Sequence, residues 1–272
     1  MAGHNKGEMT FLQHLEELRW HIVRSFAAIL IAAIVAFVFK NIVFDIIIFG
    51  PRTPDFFTNR MLCNLGKIIN SQRLCINTNE NQLQNIHMTG QFLTHIKISI
   101  IAGIIVVFPY IFYEFWSFVN PALYENERKI TRGAIFYSSS LFLLGVLFGY
   151  YIISPLSVHF LENYKVSERV VNEINLMSYI SIVATIVLAS GILFELPVVI
   201  YFLSKIGIVT PEFLKKYRKH SIIVILALSA IITPPDVFSQ ILVSFPLIAL
   251  YEISISISRR IYRKQEQENL AG

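Results

Sequence analysis

Charge is scarce in this chain. Asp, Glu, Lys and Arg make up 15% of its 272 residues, against about 25% in an ordinary soluble domain. Apolar residues make up 54%. A soluble fold of this composition needs one large, almost charge-free core, whereas a chain covered by lipid does not. Cysteine is nearly absent, and the spacing of its two residues, Cys63 and Cys75, fits no zinc pattern. The seven histidines are scattered. There is no phosphate loop and no nucleophile elbow. No metal, cofactor or catalytic chemistry is expected. The net charge of +5 raises the question of nucleic acid. The basic residues, however, fall in short clusters between apolar runs, as loops of membrane proteins do, so no nucleic acid is expected. No cleavable signal peptide is read at the start, because the first apolar run is longer than a signal core and follows about twenty polar and amphipathic residues. No repeat relates the two halves, which weakens the case for a transporter built from duplicated halves.

What is present is a series of apolar runs. They predict an all-α integral membrane domain over 1–258 with six spans, at 22–39, 96–116, 134–154, 177–203, 221–232 and 237–256. The first four are long enough to cross hydrocarbon about 30 Å thick. The fifth has only twelve residues, or roughly 18 Å of helix. A Thr233-Pro234-Pro235-Asp236 turn links it to the sixth. Length alone leaves two readings open, a re-entrant hairpin or two short spans in a thinned bilayer. With six spans, 1–24, 117–133, 204–220 and 257–272 share one side and carry 15 Lys or Arg; 41–95, 155–176 and 233–236 share the other and carry 6. The positive-inside rule then puts both termini in the cytoplasm.

Before the first span, Thr10 and Gln13 have capping-box spacing, and Phe11, Leu15, Leu18 and Ile22 share a face. This reads as an interfacial helix leading into the membrane. The outer loop 41–95 is long and rich in Asn and Gln, and the charged tail 259–272 reads as disordered. Cys63 and Cys75 both fall in that outer loop. In an oxidising compartment they could join in a disulfide; two unrelated free thiols are the other reading.

Six carboxylates draw attention. Glu195 sits deep in the fourth span, two residues before Pro197. A carboxylate in hydrocarbon is costly unless protonated, paired or hydrated, and Pro197 deprives the carbonyl of Leu193 of its helical donor. Together they point to a polar concavity, or to a single interhelical hydrogen bond from a neutral Glu. Glu17 and Glu127 lie on the cytoplasmic side, where two carboxylates could hold two adjacent guanidinium groups. The plainer readings are that Glu17 pairs with His21 one turn on and that Glu127 favours the start of the third span through the helix dipole. Glu114 and Glu252 fall near span ends, where water is available. Asp236 and Gln240 flank the outer turn of the short hairpin.

Several runs of residues, in order, decide the class. They are His14-Leu15-Glu16-Glu17-Leu18-Arg19, then Phe118-Val119-Asn120-Pro121-Ala122-Leu123-Tyr124 leading into Glu127-Arg128, then Phe194-Glu195-Leu196-Pro197. Thr233-Pro234-Pro235-Asp236 follows with Ser239-Gln240, then Pro246 with Tyr251-Glu252. In this order and spacing the chain resembles TatC proteins, the multispanning subunits of the twin-arginine protein translocase, from about residue 10 to 260. The resemblance implies a six-span, glove-shaped subunit of the bacterial cytoplasmic membrane, with the short hairpin as two true spans. It implies binding of signal peptides bearing paired arginines, assembly with TatA- and TatB-type single-span partners and with further copies, and export of folded cargo driven by the proton-motive force. Glu17 and Glu127 are then the residues that meet the arginine pair, with Leu18, Arg19, Phe118, Tyr124 and Arg128 around them. Glu195, Pro197, Asp236, Gln240 and Glu252 are the intramembrane and partner-docking set. The outer loop looks longer than usual for the family, and its cysteine pair departs from the family pattern. The alternative function is a proton-coupled small-molecule transporter using Glu195, which requires several polar groups on broken helices near the midplane. An intramembrane enzyme would require a second catalytic group facing Glu195.

Overall fold

The computed structural model describes residues 11–70, 75–76, 82–119, 131–233 and 237–271. Among these residues the protein is helical, without strands. Ten α-helices follow in order: α1 Phe11–Val38, α2 Phe57–Ile68, α3 Gly90–Val119, α4 Thr131–Phe148, α5 Ser154–Asn163, α6 Leu176–Phe194, α7 Leu196–Lys205, α8 Pro211–Lys216, α9 Arg218–Ile232 and α10 Val237–Ala271. Wider π turns at Ile42–Ile48 and Gly149–Ile153 and a 3₁₀ turn at Gly50–Arg52 join some of them.

Five stretches are long and apolar enough to cross a membrane among the described residues: Leu15–Val38, Gly90–Phe118, Gly133–Asn163, Leu176–Lys205 and Ser239–Gln267. The fifth expected span corresponds to α9, whose 15 residues make about 22 Å of helix. The expected interfacial helix and first span form one unbroken helix of 28 residues. The third expected span does not stop at residue 154. It passes through the π turn and on to Asn163. The fourth is split at Glu195, which ends α6 and opens α7. The segment after Arg259, expected to be disordered, is carried within α10 to Ala271. Its Arg, Lys, Gln and Glu residues are good helix formers, and the Gln265 amide donates to the Lys205 carbonyl at 3.1 Å.

Lipid supplies little drive for helices to associate, so small residues and close contact matter more. A methyl group on Gly145 would lie 2.5 Å from the Ser190 carbonyl oxygen, and one on Gly149 would lie 2.9 Å from the Ser190 Cβ. This pair, four residues apart, lets α4 and the following π turn lie backbone-close to α6. One buried cluster, including Val43, Ile98, Phe142, Val146, Ile180 and Val183, unites α3, α4 and α6. A second, including Ile186, Ile200, Leu214, Ile225, Val243 and Leu247, unites α6 to α10. Phe142 stacks on Phe108 with ring centres 3.5 Å apart.

Backbone irregularities are covered by side chains, as hydrocarbon requires. Pro155 cannot donate to the carbonyl of Tyr151, and the Thr58 hydroxyl donates there instead. The Tyr150 hydroxyl donates to Ile47 O at 2.7 Å, and that of Tyr179 to Ile48 O at 2.6 Å. The stretch 47–58 after α1 is therefore tied down over the π turn after α4 and over α6. Cys63 and Cys75 are joined in a disulfide, with their Cα atoms 4.1 Å apart.

Candidate functional site

The candidate carboxylates among the described residues fall into three places. The first is where α1 begins and α3 ends. His21, Arg24 and Glu17 lie on successive turns of α1, and Tyr110, Glu114 and Phe118 on successive turns of α3. Glu114 is only 4% exposed. Its two oxygens meet His21 Nδ1 and the Tyr110 hydroxyl, the latter at 2.6 Å, with Arg24 Nη1 3.9 Å away. The expectation of a hydrated Glu114 is thus corrected: the contact between α1 and α3 closes over it, and three polar side chains replace water. Phe118 packs its ring edge against His21 at 6.1 Å.

His21 is therefore directed at Glu114 and not at Glu17. Glu17 is half-buried, and its Oε2 is shut off from solvent with no hydrogen-bond donor among the described residues. A buried acceptor left unmade costs about 1–3 kcal/mol, more when charged. A guanidinium is well shaped to remove that cost. Leu18 is half-buried beside it, and Arg19 is exposed with its guanidinium 5.9 Å from the Trp20 ring centre. Tyr124, Glu127 and Arg128 lie outside the described residues.

The second place is the break between α6 and α7. Glu195 N–H turns to Ile192 O at 3.1 Å, and buried Pro197 follows in the first turn of α7. Ser138 of α4, fully buried, donates to Glu195 Oε2 at 2.8 Å. Glu195 Oε1 is shut off from solvent and has no hydrogen-bond partner among the described residues. One interhelical hydrogen bond therefore leaves half of the carboxyl group unused.

The third place is the short hairpin. Gln240 donates to Leu226 O at 3.2 Å, joining α10 to α9. Glu252 pairs with Arg218 at 2.5 Å. The Tyr251 hydroxyl donates to Leu214 O at 2.8 Å and receives a hydrogen bond from Ser221 at 3.0 Å. Asp236 lies outside the described residues. Among the described residues no group of acidic, His and Cys side chains could hold a metal ion.

Helix order, the buried carboxylate between α1 and α3, and the split at Glu195 are features that can be compared with known proteins. The family model for Sec-independent protein translocase protein (TatC) matches residues 13–246. The chain belongs to the TatC family. It is 44% identical over 262 residues to the Sec-independent protein translocase protein TatC of Blattabacterium sp. subsp. Periplaneta americana, covering 96% of this chain and 98% of that one. It is 36% identical over 260 residues to TatC of Aquifex aeolicus, covering 95% and 98%. Crystal structures of the twin arginine translocase receptor TatC match at 35% identity. One has a TM-score of 0.67 over 92% of this chain and 99% of that chain; the other, in the detergent DDM, has 0.70 over 90% and 99%. TatC-family proteins are components of a protein translocase and not enzymes, and the apolar helices make this one a membrane protein.

The sequence passed over several partners within these places. Tyr110 and His21 as the partners of Glu114, and Ser138 as that of Glu195, come from other helices, and no local pattern announces them. A stronger hint was available for the α4–α6 contact, because Gly145 and Gly149 have the spacing of close-packed membrane helices.

Proposed function

We propose that the protein is the receptor subunit of a twin-arginine translocase in a bacterial cytoplasmic membrane. Signal peptides of folded precursors bind where α1 begins, with Glu17 and Glu127 holding the two arginines. Leu18, Arg19, Phe118, Tyr124 and Arg128 surround them. The observation that carries this reading is Glu17 Oε2, a buried acceptor without a donor among the described residues, beside a His that is already engaged by Glu114. That arrangement weighs against the plain Glu17–His21 pair and leaves a carboxylate oxygen to be met from outside. The excess of Lys and Arg on one set of loops supports cytoplasmic termini and a six-span, glove-shaped bundle in which α9 and α10 are both spans. Glu195, with Pro197 and the Asp236, Gln240 and Glu252 end of the hairpin, serves docking of TatA- and TatB-type single-span partners. Further copies join the complex, and the proton-motive force drives export.

The test is photo-crosslinking to a precursor in membranes. Losing a charge-assisted contact costs about 1.5–3 kcal/mol, so Glu17→Gln and Glu127→Gln should each weaken crosslinking about tenfold or more. Both variants should insert normally. A precursor with paired lysines should bind weakly to the wild type and respond little to either change. Unaltered crosslinking in both variants would refute the assignment.

A further inference from the structure

A large cavity among the described residues lies at the opposite end of the bundle from Glu17. Its volume is about 1280 Å³, above the roughly 300–1,000 Å³ of a pocket for a drug-sized molecule. One wall is the α4–π turn–α5 ridge, with Leu147, Tyr151 and Leu156. The roof is α2, with Phe57 and Met61, and Ser239 and Leu242 of α10 line the cavity too. The wall contains irregular backbone, yet the Tyr151 carbonyl freed by Pro155 is taken by Thr58. That surface suits hydrocarbon and offers little to a polar solute. The cavity is open at the side, since Leu147 and Met61 are 49% and 54% exposed.

The lysine of the lining stands at one rim. Tyr164 and Lys165 follow directly on the end of α5 and line the cavity there. Lys165 is exposed and makes no ion pair among the described residues. Tyr and Lys at the end of an apolar helix mark the headgroup level of a bilayer. Helix α2 fits that level as well. Phe57, Met61, Leu65 and Ile68 form an exposed apolar stripe along it, while Asn59 on its other side is buried and donates to Pro51 O and Thr53 O. A helix of this kind lies in the plane of the interface. The disulfide at Cys63 holds it over the cavity by linking it to Cys75, next to Ile76 of the lining.

We propose that this cavity holds a phospholipid with an anionic headgroup from the leaflet opposite Glu17, its acyl chains between α2 and the α4–α5 wall and its phosphate at Lys165. The bound lipid fills a concavity that a rigid helix bundle cannot close. It also separates the site from the general lipid annulus, because α2 roofs it.

The probe is phosphatidylglycerol with a photoreactive group at the end of one acyl chain. It is incorporated into phosphatidylcholine vesicles containing the purified full chain, and the labelled residues are mapped by mass spectrometry. Labelling is expected at the α4–α5 wall and the inner side of α2, well above that on the lipid-facing side of α1 around Phe26 and Ile31. Leu147→Trp and Met61→Trp change exposed side chains, so the fold should persist while the cavity label is lost. Lys165→Gln should lower the preference for phosphatidylglycerol over the same probe with a phosphatidylcholine head by about fivefold. Equal labelling of α1 and the cavity, unmoved by either Trp variant, would show annular lipid only and overturn the proposal. Cavity labelling that ignores the headgroup and Lys165→Gln would overturn the anionic assignment. Loss of the label on adding a single-span partner, with that partner's helix crosslinked in its place, would make the cavity a helix-docking site instead.

Discussion

The ion pair between Arg52 and Glu162 carries a testable energy. Arg52 Nε lies 2.7 Å from Glu162 Oε1, and the two side chains are 11% and 8% exposed. The guanidinium carbon also sits 5.5 Å from the centre of the Tyr179 ring. The pair links the turn after α1 to the end of α5, and it lies over α6 through Tyr179. Removing one partner strands a buried charge, which typically costs about 3–5 kcal/mol. Arg52→Met, which strands the Glu162 carboxylate, should therefore destabilise by that amount, and Glu162→Leu by less, because Arg52 keeps other contacts. Replacing both with apolar residues removes the stranded charge and is often close to neutral. Loss of the Arg–Tyr contact, about 0.5–1 kcal/mol or somewhat more when desolvated, leaves the double variant only modestly weaker than the wild type. Equilibrium unfolding in mixed micelles, followed by circular dichroism, measures all four proteins as a double-mutant cycle. An Arg52→Met protein within about 1 kcal/mol of the wild type, or a double variant as weak as the two single losses added together, would refute the reasoning.

Partner recruitment should distinguish two changes at Glu195. Glu195→Gln keeps a hydrogen-bonding group facing Ser138 and, under the proposed docking role, available to a partner helix, whereas Glu195→Leu removes it, at about 0.6–2 kcal/mol per interhelical bond. Crosslinking in membranes should show docking better preserved in Glu195→Gln, with precursor binding little changed in either; equal docking by all three proteins would rule out the role. For topology, single cysteines replacing Lys216 and Gln267 in a cysteine-free background should react only from the cytoplasm, and one replacing Arg169 only from outside. Opposite accessibility would overturn the six-span orientation.

The membrane class and the family were legible in the sequence, because both depend on local features. Hydropathy over about twenty residues reports directly on the lipid solvent, and motifs such as Phe194-Glu195-Leu196-Pro197 are contiguous. The break at Glu195 was only half legible: Pro197 marked the Leu193 carbonyl as lacking its helical donor, but the span reads as continuous over 177–203 and the structure divides it. The third span's continuation past residue 154 was less accessible, since Pro155 reads as a stop until Thr58, far away in sequence, supplies the missing donor.

Hydropathy also marked which segments enter the bilayer, but not which of their faces meet. In lipid almost every position of a span can be apolar, so the amphipathic stripe that reveals packing in a soluble helix is weak. Only the tertiary structure decided that His21 serves Glu114 and leaves Glu17 Oε2 without a donor among the described residues, that Ser138 meets Glu195, and that Arg52 reaches Glu162 across 110 residues. The sequence determined the cost of each polar group in the membrane. The tertiary structure decided which groups are satisfied, because that depends on distances between helices that no local pattern encodes.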